Sequence, residues 1–274
     1  MTDTIKVALV TGASSGIGEA TARALKTAGY IVYGAARRKD RMANLEAEGI
    51  KTLSLDVTDE GSMTACIDEI LKNEGRLDVL VNNAGYGSFG AVEDVPMTEA
   101  RRQIEVNLFG LARMTQLVLP VMRKQNSGKI VNISSMGGKI WTPFGAWYHA
   151  TKFAVEGFSD ALRLEVKPFG IDVILIEPGG IQTDWGTIAA ENLSESSSKG
   201  AYADAANKVA QSLDKMYKGT GLTKPEVIAN CIAKAVQKRR PKTRYLLGYM
   251  AKPSVFMKNL LGDKIYDKII MKMI

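Results

Sequence analysis

Short runs of apolar residues with no polar alternation recur along the whole chain, and longer stretches with helical character separate them. Runs such as VALV, IVNI and VILI are typical of parallel strands that helices cover on both faces. The pattern predicts an α/β fold, a single doubly wound Rossmann domain over residues 1–274 whose parallel sheet of about seven strands is flanked by helices. The strands are predicted at residues 7–10, 31–33, 52–55, 79–81, 129–133, 172–176 and 244–247.

The composition narrows the classes of protein to which the chain can belong. Its 274 residues are 46% hydrophobic and 24% charged, which is enough for a large packed core. No apolar run reaches the roughly 18 residues of a membrane span, and residues 1–10 lead directly into a strand, so we expect a cytoplasmic protein. Cys66 and Cys231 do not form a CxxC pair, so neither a disulfide framework nor a metal site is predicted.

The positive charge of the chain is concentrated near its C-terminus. Residues 234–274 contain eleven Lys or Arg and two Asp, a local charge of +9, whereas the whole chain carries +7 and the preceding residues therefore −2. A nucleic-acid enzyme would carry positive charge around its active cleft, and no nucleic-acid motif accompanies this patch. We therefore expect a small-molecule substrate and no nucleic-acid partner.

Two segments do not fit the alternation of short strands and longer helices. Residues 184–222 form a polar, Ser-rich stretch followed by an amphipathic one, longer than most connections, which predicts a substrate lid; the alternative is a surface insertion without substrate contact. Residues 250–274 have apolar residues at helical spacing with lysines between them, which predicts an amphipathic helix. That helix has three possible roles: closing over a lipophilic substrate, packing in a homo-oligomer (dimer or tetramer), which is preferred, or peripheral contact with an anionic membrane.

A glycine-rich turn follows the first predicted strand and precedes a helix predicted over residues 19–28. Gly12, Gly16 and Gly18 give GxxxGxG spacing, and Ser15 precedes the second glycine. Backbone amides at a helix N-terminus carry partial positive charge, and glycines let the chain approach a pyrophosphate closely. The spacing alone also fits a tight bend, but its position between a strand and a helix favours a dinucleotide site.

The residues after the second and third strands indicate which dinucleotide is bound. NAD-preferring Rossmann folds place a carboxylate after the second strand, where this chain has Arg37 and Arg38. Their guanidinium groups suit a 2′-phosphate and predict NADP(H), although a solvated basic turn is the alternative. Asp56 and Val57 follow the third strand, where the carboxylate can meet an adenine edge or instead cap the next helix.

Acid/base groups occur on the helix predicted over residues 147–166. Tyr148 and Lys152 are four positions apart and therefore share one helix face. A free tyrosine titrates near ~10, and a neighbouring ammonium group lowers the pKa of the phenol toward neutral pH. Ser134 and Ser135 end the preceding strand, where a hydroxyl can polarise a carbonyl oxygen.

These motifs, in this order, resemble the short-chain dehydrogenase/reductase family over nearly the whole chain. The matching elements are TGxxxGxG, the NNAG turn of residues 82–85, the serine after IVNI, YxxxK and the Pro178-Gly179 turn. The resemblance implies that Ser135 orients the carbonyl, Tyr148 exchanges the proton, and Lys152 binds ribose and tunes Tyr148. Ser135 is preferred to Ser134 because its spacing to Tyr148 matches the family.

The resemblance also supplies further site residues. Asn107 matches the family's fourth member, which holds a water that links the lysine to solvent; without the family it would be interpreted as a buried helix amide bonded to backbone. The cofactor contacts that it implies outside the residues already named are Ser14, Ile17, Asn83, Ala84, Gly85, Pro178, Gly179, Ile181 and Thr183.

Two features differ from the family pattern or lie beside it. Some NADP-preferring members have a basic residue at the position of Ser15, so the 2′-phosphate is left to Arg37 and Arg38. His149 follows Tyr148 directly, and its helical position directs it away from the face of Tyr148 and Lys152. We therefore interpret His149 as a packing or surface residue.

Within the family, the segment from Tyr148 through EPGG is similar to the branch of 17β-hydroxysteroid, retinol and acyl-dihydroxyacetone-phosphate reductases. That similarity implies a hydrophobic ketone or alcohol, with Trp141, Phe144, Trp147 and Trp185 as candidate pocket residues. The expected activity is NADP(H)-dependent oxidation and reduction at a carbonyl or secondary alcohol. The alternatives are a 3-oxoacyl thioester reductase and, from another class, a non-catalytic NADP-sensing module.

Overall fold

Seven parallel strands form one sheet in the computed structural model, which describes residues 5–272. All six neighbouring pairs are parallel, in the order β3-β2-β1-β4-β5-β6-β7. The prediction of a seven-stranded, doubly wound α/β fold is therefore confirmed. The strands are β1 (Val7–Thr11), β2 (Ile31–Ala36), β3 (Lys51–Ser54), β4 (Val79–Asn82), β5 (Gly128–Ile133), β6 (Ile171–Pro178) and β7 (Arg244–Leu247).

Helices connect the strands and cover both faces of the sheet. Successive strand residues point to opposite faces, so Leu9 packs against Met114 and its neighbours while Val10 packs against Leu25 and its neighbours. Both faces are consequently apolar, which explains the unbroken hydrophobic runs. The helices are α1 (Gly16–Thr27), α2 (Ala43–Ala47), α3 (Glu60–Glu74), α4 (Met97–Ile104), α5 (Leu111–Lys124), α6 (Ala146–Val166), α7 (Trp185–Ser197), α8 (Ala203–Lys218), α9 (Pro225–Gln237) and α10 (Ala251–Met271).

The strand order reverses between β1 and β4. The chain leaves β1 toward β2 on one side, and β4 pairs with β1 on the other. Loops that leave the carboxyl ends of these two strands diverge, and this opens a crevice of the type in which α/β sheets bind ligands. Strand β2 also continues to Ala36, three residues beyond its predicted end, so Arg37 is the first residue after the strand.

The C-terminal helix differs from the prediction of one continuous amphipathic helix over residues 250–274. Gly262 has φ 69° and ψ 174°, which interrupts α10, since glycine reaches this conformation without a steric penalty. Tyr266, beyond the break, is fully buried and donates a hydrogen bond from its hydroxyl to the Trp141 carbonyl, 3.1 Å away. Part of the extension thus packs on its own chain; residues 273 and 274 of it, like residues 1–4 of the predicted N-terminal lead-in, lie outside the described residues.

No helix between residues 5 and 272 is both long enough and apolar enough to span a bilayer.

Candidate active site

A cavity of about 1840 Å³ opens at the carboxyl edge of the sheet. Loops after β1, β2, β3, β4, β5 and β6 form its walls, and α7 and α8 form the remaining side. Ligand pockets commonly measure roughly 300–1,000 Å³, so this cavity has room for a dinucleotide and a second molecule beside it.

The glycine-rich loop lies against the loop that follows β4. Gly12 has φ +66°, and a Cβ atom at this position would lie 2.9 Å from the Cα of Ala84. The side-chain amide of Asn83 donates to the carbonyls of Thr11, at 3.0 Å, and of Gly12, at 3.2 Å. The Thr11 hydroxyl accepts hydrogen bonds from the backbone amides of Asn83 and Ala84, both at 3.0 Å. These bonds fix the two loops to each other on either side of the crevice.

Most of the predicted cofactor residues lie in the cavity wall, and Gly18 does not. A Cβ atom at Gly18 would lie 2.3 Å from the carbonyl oxygen of Gly12, so this glycine permits the turn to pack and does not itself face the cavity. The predicted residues in the wall are Gly12, Ser14, Ser15, Gly16, Ile17, Arg37, Arg38, Asp56, Val57, Asn83, Ala84, Gly85, Tyr148, Lys152, Pro178, Gly179, Ile181 and Thr183.

One end of the cavity is strongly basic. Arg37 and Arg38 line it directly after β2, and within residues 5–272 no carboxylate lies within 4 Å of either guanidinium group. Arg41 and Arg102 line the same cavity and were missed from the sequence. Arg102 lies on α4, sixty-five residues after Arg37 in the chain, so only the fold brings it there.

Asp56 lies beside this basic end and does not cap a helix. Its Oδ1 accepts hydrogen bonds from the backbone amide and hydroxyl of Thr58, at 2.9 and 2.7 Å. Burial alone would raise the pKa of this carboxyl, but the Thr58 bonds and the charges of Arg37 and Arg102 lower it overall. Asp59 caps α3 by accepting from the Ser62 amide at 2.6 Å, so the capping alternative for Asp56 is wrong.

Ser135, Tyr148 and Lys152 meet in the wall beyond β5 and at the start of α6. Tyr148 and Lys152 are only 8% and 9% exposed. The Ser135 hydroxyl accepts from the Gly137 amide at 2.9 Å, and it lies close enough to Tyr148 to favour a lower pKa of that phenol. The Lys152 Nζ donates to the Ile133 carbonyl at 2.9 Å and lies 5.9 Å from the centre of the Tyr148 ring.

Ser134 differs from Ser135 in its surroundings. Its side chain is 3% exposed, and within residues 5–272 its hydroxyl has no hydrogen-bond partner. Ser135 is therefore the serine that contacts Tyr148.

Burial controls the protonation of the two α6 side chains. It raises the pKa of Tyr148 to about 12, although the Ser135 hydrogen bond opposes the rise. It lowers the pKa of Lys152 to about 8, while the negative charge of Glu156 opposes the fall. The predicted net fall of the Tyr148 pKa toward neutral pH is wrong, because desolvation of the phenolate outweighs the influence of the neighbouring lysine.

Asn107 lies in a π-helical turn, Glu105–Gly110, behind the part of the cavity wall that contains Tyr148 and Lys152. Its amide nitrogen donates to the Tyr86 carbonyl at 2.8 Å and to the Thr151 hydroxyl at 3.2 Å, and its oxygen accepts from the Tyr86 amide at 3.0 Å. Such turns recur at functional sites because the extra residue redirects a side chain. Asn107 does not line the cavity, and Thr151 separates it from Lys152.

His149 is buried and not on the surface, and it lines the cavity with its ring centre 5.7 Å from that of Tyr148, so the prediction that it is directed away from the Tyr148 face is wrong. It is 8% exposed, its Nδ1 hydrogen-bonds with the Gly137 carbonyl at 2.9 Å, and its Nε2 accepts from the Thr142 amide at 3.0 Å. Burial lowers its pKa. Both ring nitrogens are engaged with backbone, so His149 holds the turn after β5 in place.

A cluster of buried charges lies on the side of α6 next to Lys152. Glu156 and Glu177 are 5% and 3% exposed. Lys139 lies 2.8 Å from Glu156 and 3.7 Å from Glu177, and Arg244 lies 3.2 and 3.1 Å from the same two carboxylates. The sequence gives no signal for this cluster, because its members come from four separate elements. Burial, followed by the charge of Glu156, raises the pKa of Glu177 to about 7.

This raised pKa predicts that the protein loses stability as the pH rises from about 4.5 to about 7, since the unfolded chain ionises first. Glu177→Gln removes that ionisation. We expect its Tm at pH 8 to exceed that of the parent by about 2–4 °C, with little difference at pH 5, measured by thermal unfolding.

Asp160→Asn is the control, and its change in Tm should have the opposite sign. Hydrogen bonds from Arg244 and Arg163 lower the pKa of Asp160 against the effect of burial, so its ionised form stabilises the fold. A lower Tm of Glu177→Gln at both pH values would contradict the prediction.

The end of the cavity beyond Tyr148 is aromatic. The Trp185 ring centre lies 5.0 Å from that of Tyr148 and 5.8 Å from that of Phe89. Of the four predicted pocket aromatics, Trp185 alone lines the described cavity. Trp141 packs instead against Tyr266, and Phe144 against Tyr202, while Trp147 is half-buried outside the wall.

The segment 184–222 forms α7 and α8 and contributes to this aromatic end. Ala189 and Leu193 of α7 and Ala206 and Ala210 of α8 form a buried cluster with Phe89 and Tyr148. The side chains of the segment that reach the cavity are Asp184, Trp185, Thr187, Ile188, Glu191, Asn192, Glu195, Ser196, Leu213, Met216 and Tyr217.

A family model described as short chain dehydrogenase matches residues 6–194, more than half of the chain. The chain belongs to the short-chain dehydrogenase/reductase family. Among residues 5–272 no group of three or more His, Cys, Asp or Glu side chains is placed to hold a metal ion.

Relatives within the short-chain dehydrogenase/reductase family cover almost the whole chain. A 3-ketodihydrosphingosine reductase of Bacteroides thetaiotaomicron is 39% identical over 89% of this chain and 88% of its own length. An NADPH-dependent 3-dehydrocapnine reductase of Ornithobacterium rhinotracheale is 34% identical, over 98% of this chain and 97% of its own. The crystal structure of a short-chain dehydrogenase from Streptomyces avermitilis superposes with a TM-score of 0.81 at 36% identity, covering 98% of this chain and 96% of that one. The chain thus matches proteins of this family over at least 88% of their length.

Proposed function

We propose that the chain is an NADP(H)-dependent oxidoreductase that transfers hydride between the nicotinamide and a carbonyl or secondary alcohol, with Tyr148 as the acid/base. The observation that carries this proposal is the meeting of Ser135, Tyr148 and Lys152 in one buried wall of a cavity whose far end is basic. A sensor that only bound cofactor would not need this set of side chains, which disfavours the non-catalytic alternative.

The cavity has the features that NADP(H) requires. The positive φ at Gly12 and the close approach of Ala84 leave no room for a side chain on Gly12 itself, beside the N-terminus of α1. That arrangement suits a pyrophosphate. Arg37, with Arg38, has no carboxylate partner within residues 5–272 and is free for the 2′-phosphate. When bound, the nicotinamide supplies or accepts the hydride.

The protein side chains then handle the proton and the carbonyl oxygen. Ser135 donates a hydrogen bond to the substrate oxygen and polarises the carbonyl. Tyr148, protonated at neutral pH because its pKa is about 12, donates its proton to the same oxygen during reduction. Lys152 holds the ribose and stabilises the phenolate that remains. Asn107 positions the water that, as the family resemblance implies, links Lys152 to solvent.

We propose a hydrophobic, lipid-like ketone as the substrate. Trp185, Ile188, Leu213 and Met216 line the cavity beyond Tyr148 and support an apolar substrate chain. The names of both relatives describe reductases of lipid-like 3-oxo compounds, which supports the same class. We further propose that the segment 184–222 acts as a lid, opening and closing over this end. The second candidate, 3-oxoacyl thioester reduction, uses the same catalytic groups.

A screen of NADPH oxidation separates these activities. Long-chain 3-ketones such as 3-ketodihydrosphingosine, steroid ketones, retinal, acyl thioesters and quinones are offered in turn, and the absorbance loss of NADPH is followed. We expect the highest kcat/KM with a long-chain ketone. Preference for the thioesters would support the second candidate, and NADPH binding without oxidation of any of them would support the sensor.

Trp185 provides a test of the apolar end of the cavity. Trp185→Leu removes the aromatic face next to Tyr148, and we expect it to raise KM for long-chain ketones about tenfold. Phe144→Leu is the matched control, because Phe144 belongs to the same hydrophobic cluster but does not line the cavity. Equal effects of both substitutions would mean that the cluster, and not contact with substrate, is responsible.

A further inference from the structure

The outer face of α10 is apolar, and no other part of the chain within residues 5–272 covers it. The inner residues Ala251, Ser254 and Tyr266 are buried, whereas Phe256 and Leu260 are each 68% exposed. Positions separated by four residues lie on one helix face, so Phe256 and Leu260 are neighbours. Ile265 and Met271, beyond the break at Gly262, are also 50% and 61% exposed. Neighbouring exposed apolar side chains such as Phe256 and Leu260 mark an interaction site.

The same segment carries positive charge that no acidic side chain compensates. Its two carboxylates have internal contacts: Asp263 lies 3.7 Å from Lys258, and Asp267 accepts a hydrogen bond from the Trp141 indole at 2.9 Å. Four exposed lysines have no carboxylate within 4 Å among residues 5–272. They are Lys252, Lys264, Lys268 and Lys272.

We propose that the outer face of α10, defined by Phe256, Leu260, Ile265 and the exposed lysines, binds the surface of an anionic lipid membrane. Exposed aromatic and aliphatic side chains enter the boundary between headgroups and acyl chains, and lysines beside them meet lipid phosphates. A second copy of the chain fits this face poorly, since pairing two such faces would bring uncompensated lysines together.

The position of α10 relates the proposed membrane contact to the cavity. Tyr266 donates to the Trp141 carbonyl, and Lys258 lies 5.2 Å above the Trp141 ring, so α10 rests on this tryptophan. The residues on either side of it, Ile140 and Thr142, line the cavity. A membrane bound to α10 would therefore lie near the cavity, and a lipid-like ketone would have a short path from the bilayer. This last step rests on the proposed function, whereas the membrane contact itself does not.

Co-sedimentation of the full chain with vesicles tests the proposal without any enzyme assay. The vesicles are phosphatidylcholine alone or with phosphatidylglycerol at about one third, matching anionic bilayers that attract basic segments. We expect binding to the anionic vesicles, little binding to the neutral ones, and weaker binding at high salt. Equal sedimentation with both kinds of vesicle, or none with either, would overturn it.

Two pairs of substitutions assign the binding to this face. Phe256→Ser/Leu260→Ser and Lys264→Glu/Lys268→Glu are each expected to weaken binding about tenfold or more. Lys72→Glu/Lys124→Glu makes the same change of charge at exposed positions on α3 and α5 and should bind like the parent. Thermal unfolding confirms that each variant folds. If Lys72→Glu/Lys124→Glu weakens binding as much as Lys264→Glu/Lys268→Glu, the vesicles attract positive charge anywhere on the protein, and the proposal fails.

Sedimentation velocity distinguishes the remaining occupant. A dimer that Phe256→Ser/Leu260→Ser converts to monomer would show that a second copy covers the face and would overturn the membrane proposal. If the parent chain bound anionic vesicles but oxidised NADPH with none of the substrates in the screen, only the proposed function would be contradicted.

Discussion

Tyr148→Phe is expected to lower kcat for ketone reduction at least about a hundredfold, while NADPH affinity stays within about twofold of the parent. The substitution removes the phenol hydroxyl beside Ser135 and leaves the ring packing with Phe89 and Trp185 in place. A pKa of about 12 keeps the Tyr148 hydroxyl protonated through neutral pH. Changing the pH of the assay should therefore not restore the turnover that the substitution removes. Steady-state NADPH oxidation and a binding titration measure the two quantities.

Tyr217→Phe serves as the matched control for this prediction. Tyr217 also lines the cavity and packs against Trp185, with ring centres 6.1 Å apart, but it lies on α8 and has no hydrogen bond to Ser135 or Lys152 within residues 5–272. We expect its kcat to remain within a few-fold of the parent. If Tyr148→Phe retained full turnover, another group would have to supply the proton and the acid/base assignment would be wrong.

Arg37→Asp is expected to weaken NADPH binding about a hundredfold while changing NADH binding little. The guanidinium group forms charge-assisted hydrogen bonds to the 2′-phosphate that NADH lacks, and each such bond contributes about 1.5–3 kcal/mol. An aspartate at this position, directly after β2, is also the side chain that accepts the ribose hydroxyls in NAD-preferring folds. Dissociation constants for both nucleotides, measured by fluorescence titration, give the comparison.

Arg239→Asp makes the same change of charge in the exposed turn after α9, outside the cavity wall, and should affect neither nucleotide. Equal losses for NADPH and NADH in Arg37→Asp would mean that Arg37 supports a part common to both cofactors. The preference for NADP(H) would then need another source, and Arg41 and Arg102, which line the cavity without a carboxylate partner within residues 5–272, are candidates.

The sheet was predictable because burial on both faces removes polar residues from parallel strands, as Leu9 and Val10 show by packing into different cores. The cavity residues were predictable for a related reason: carboxyl ends of parallel strands meet at one edge, so Gly12, Asn83 and Ser135 converge. Arg102 and Glu177 could not be assigned in this way, since their neighbours come from elements far apart in the chain.

Other features depended on packing that the sequence does not express. Trp141 lies between two cavity residues but faces α10, which contacts it only after the chain has folded. The break at Gly262 interrupts an otherwise regular apolar spacing, because a glycine can either continue a helix or adopt positive φ. The direction of the pKa shift of Tyr148 depended on depth of burial, which outweighs the lysine that the motif brings near.

The residues proposed for the 2′-phosphate and those proposed for proton transfer lie on separate parts of the chain. Arg37 and Arg38 belong to the loop after β2, whereas Ser135, Tyr148 and Lys152 belong to the turn after β5 and to α6. No hydrogen bond or ion pair joins the two groups within residues 5–272. The protein is therefore suited to modular redesign: an engineer could exchange the electron donor that it accepts by rewriting one short loop, and keep the reaction unchanged.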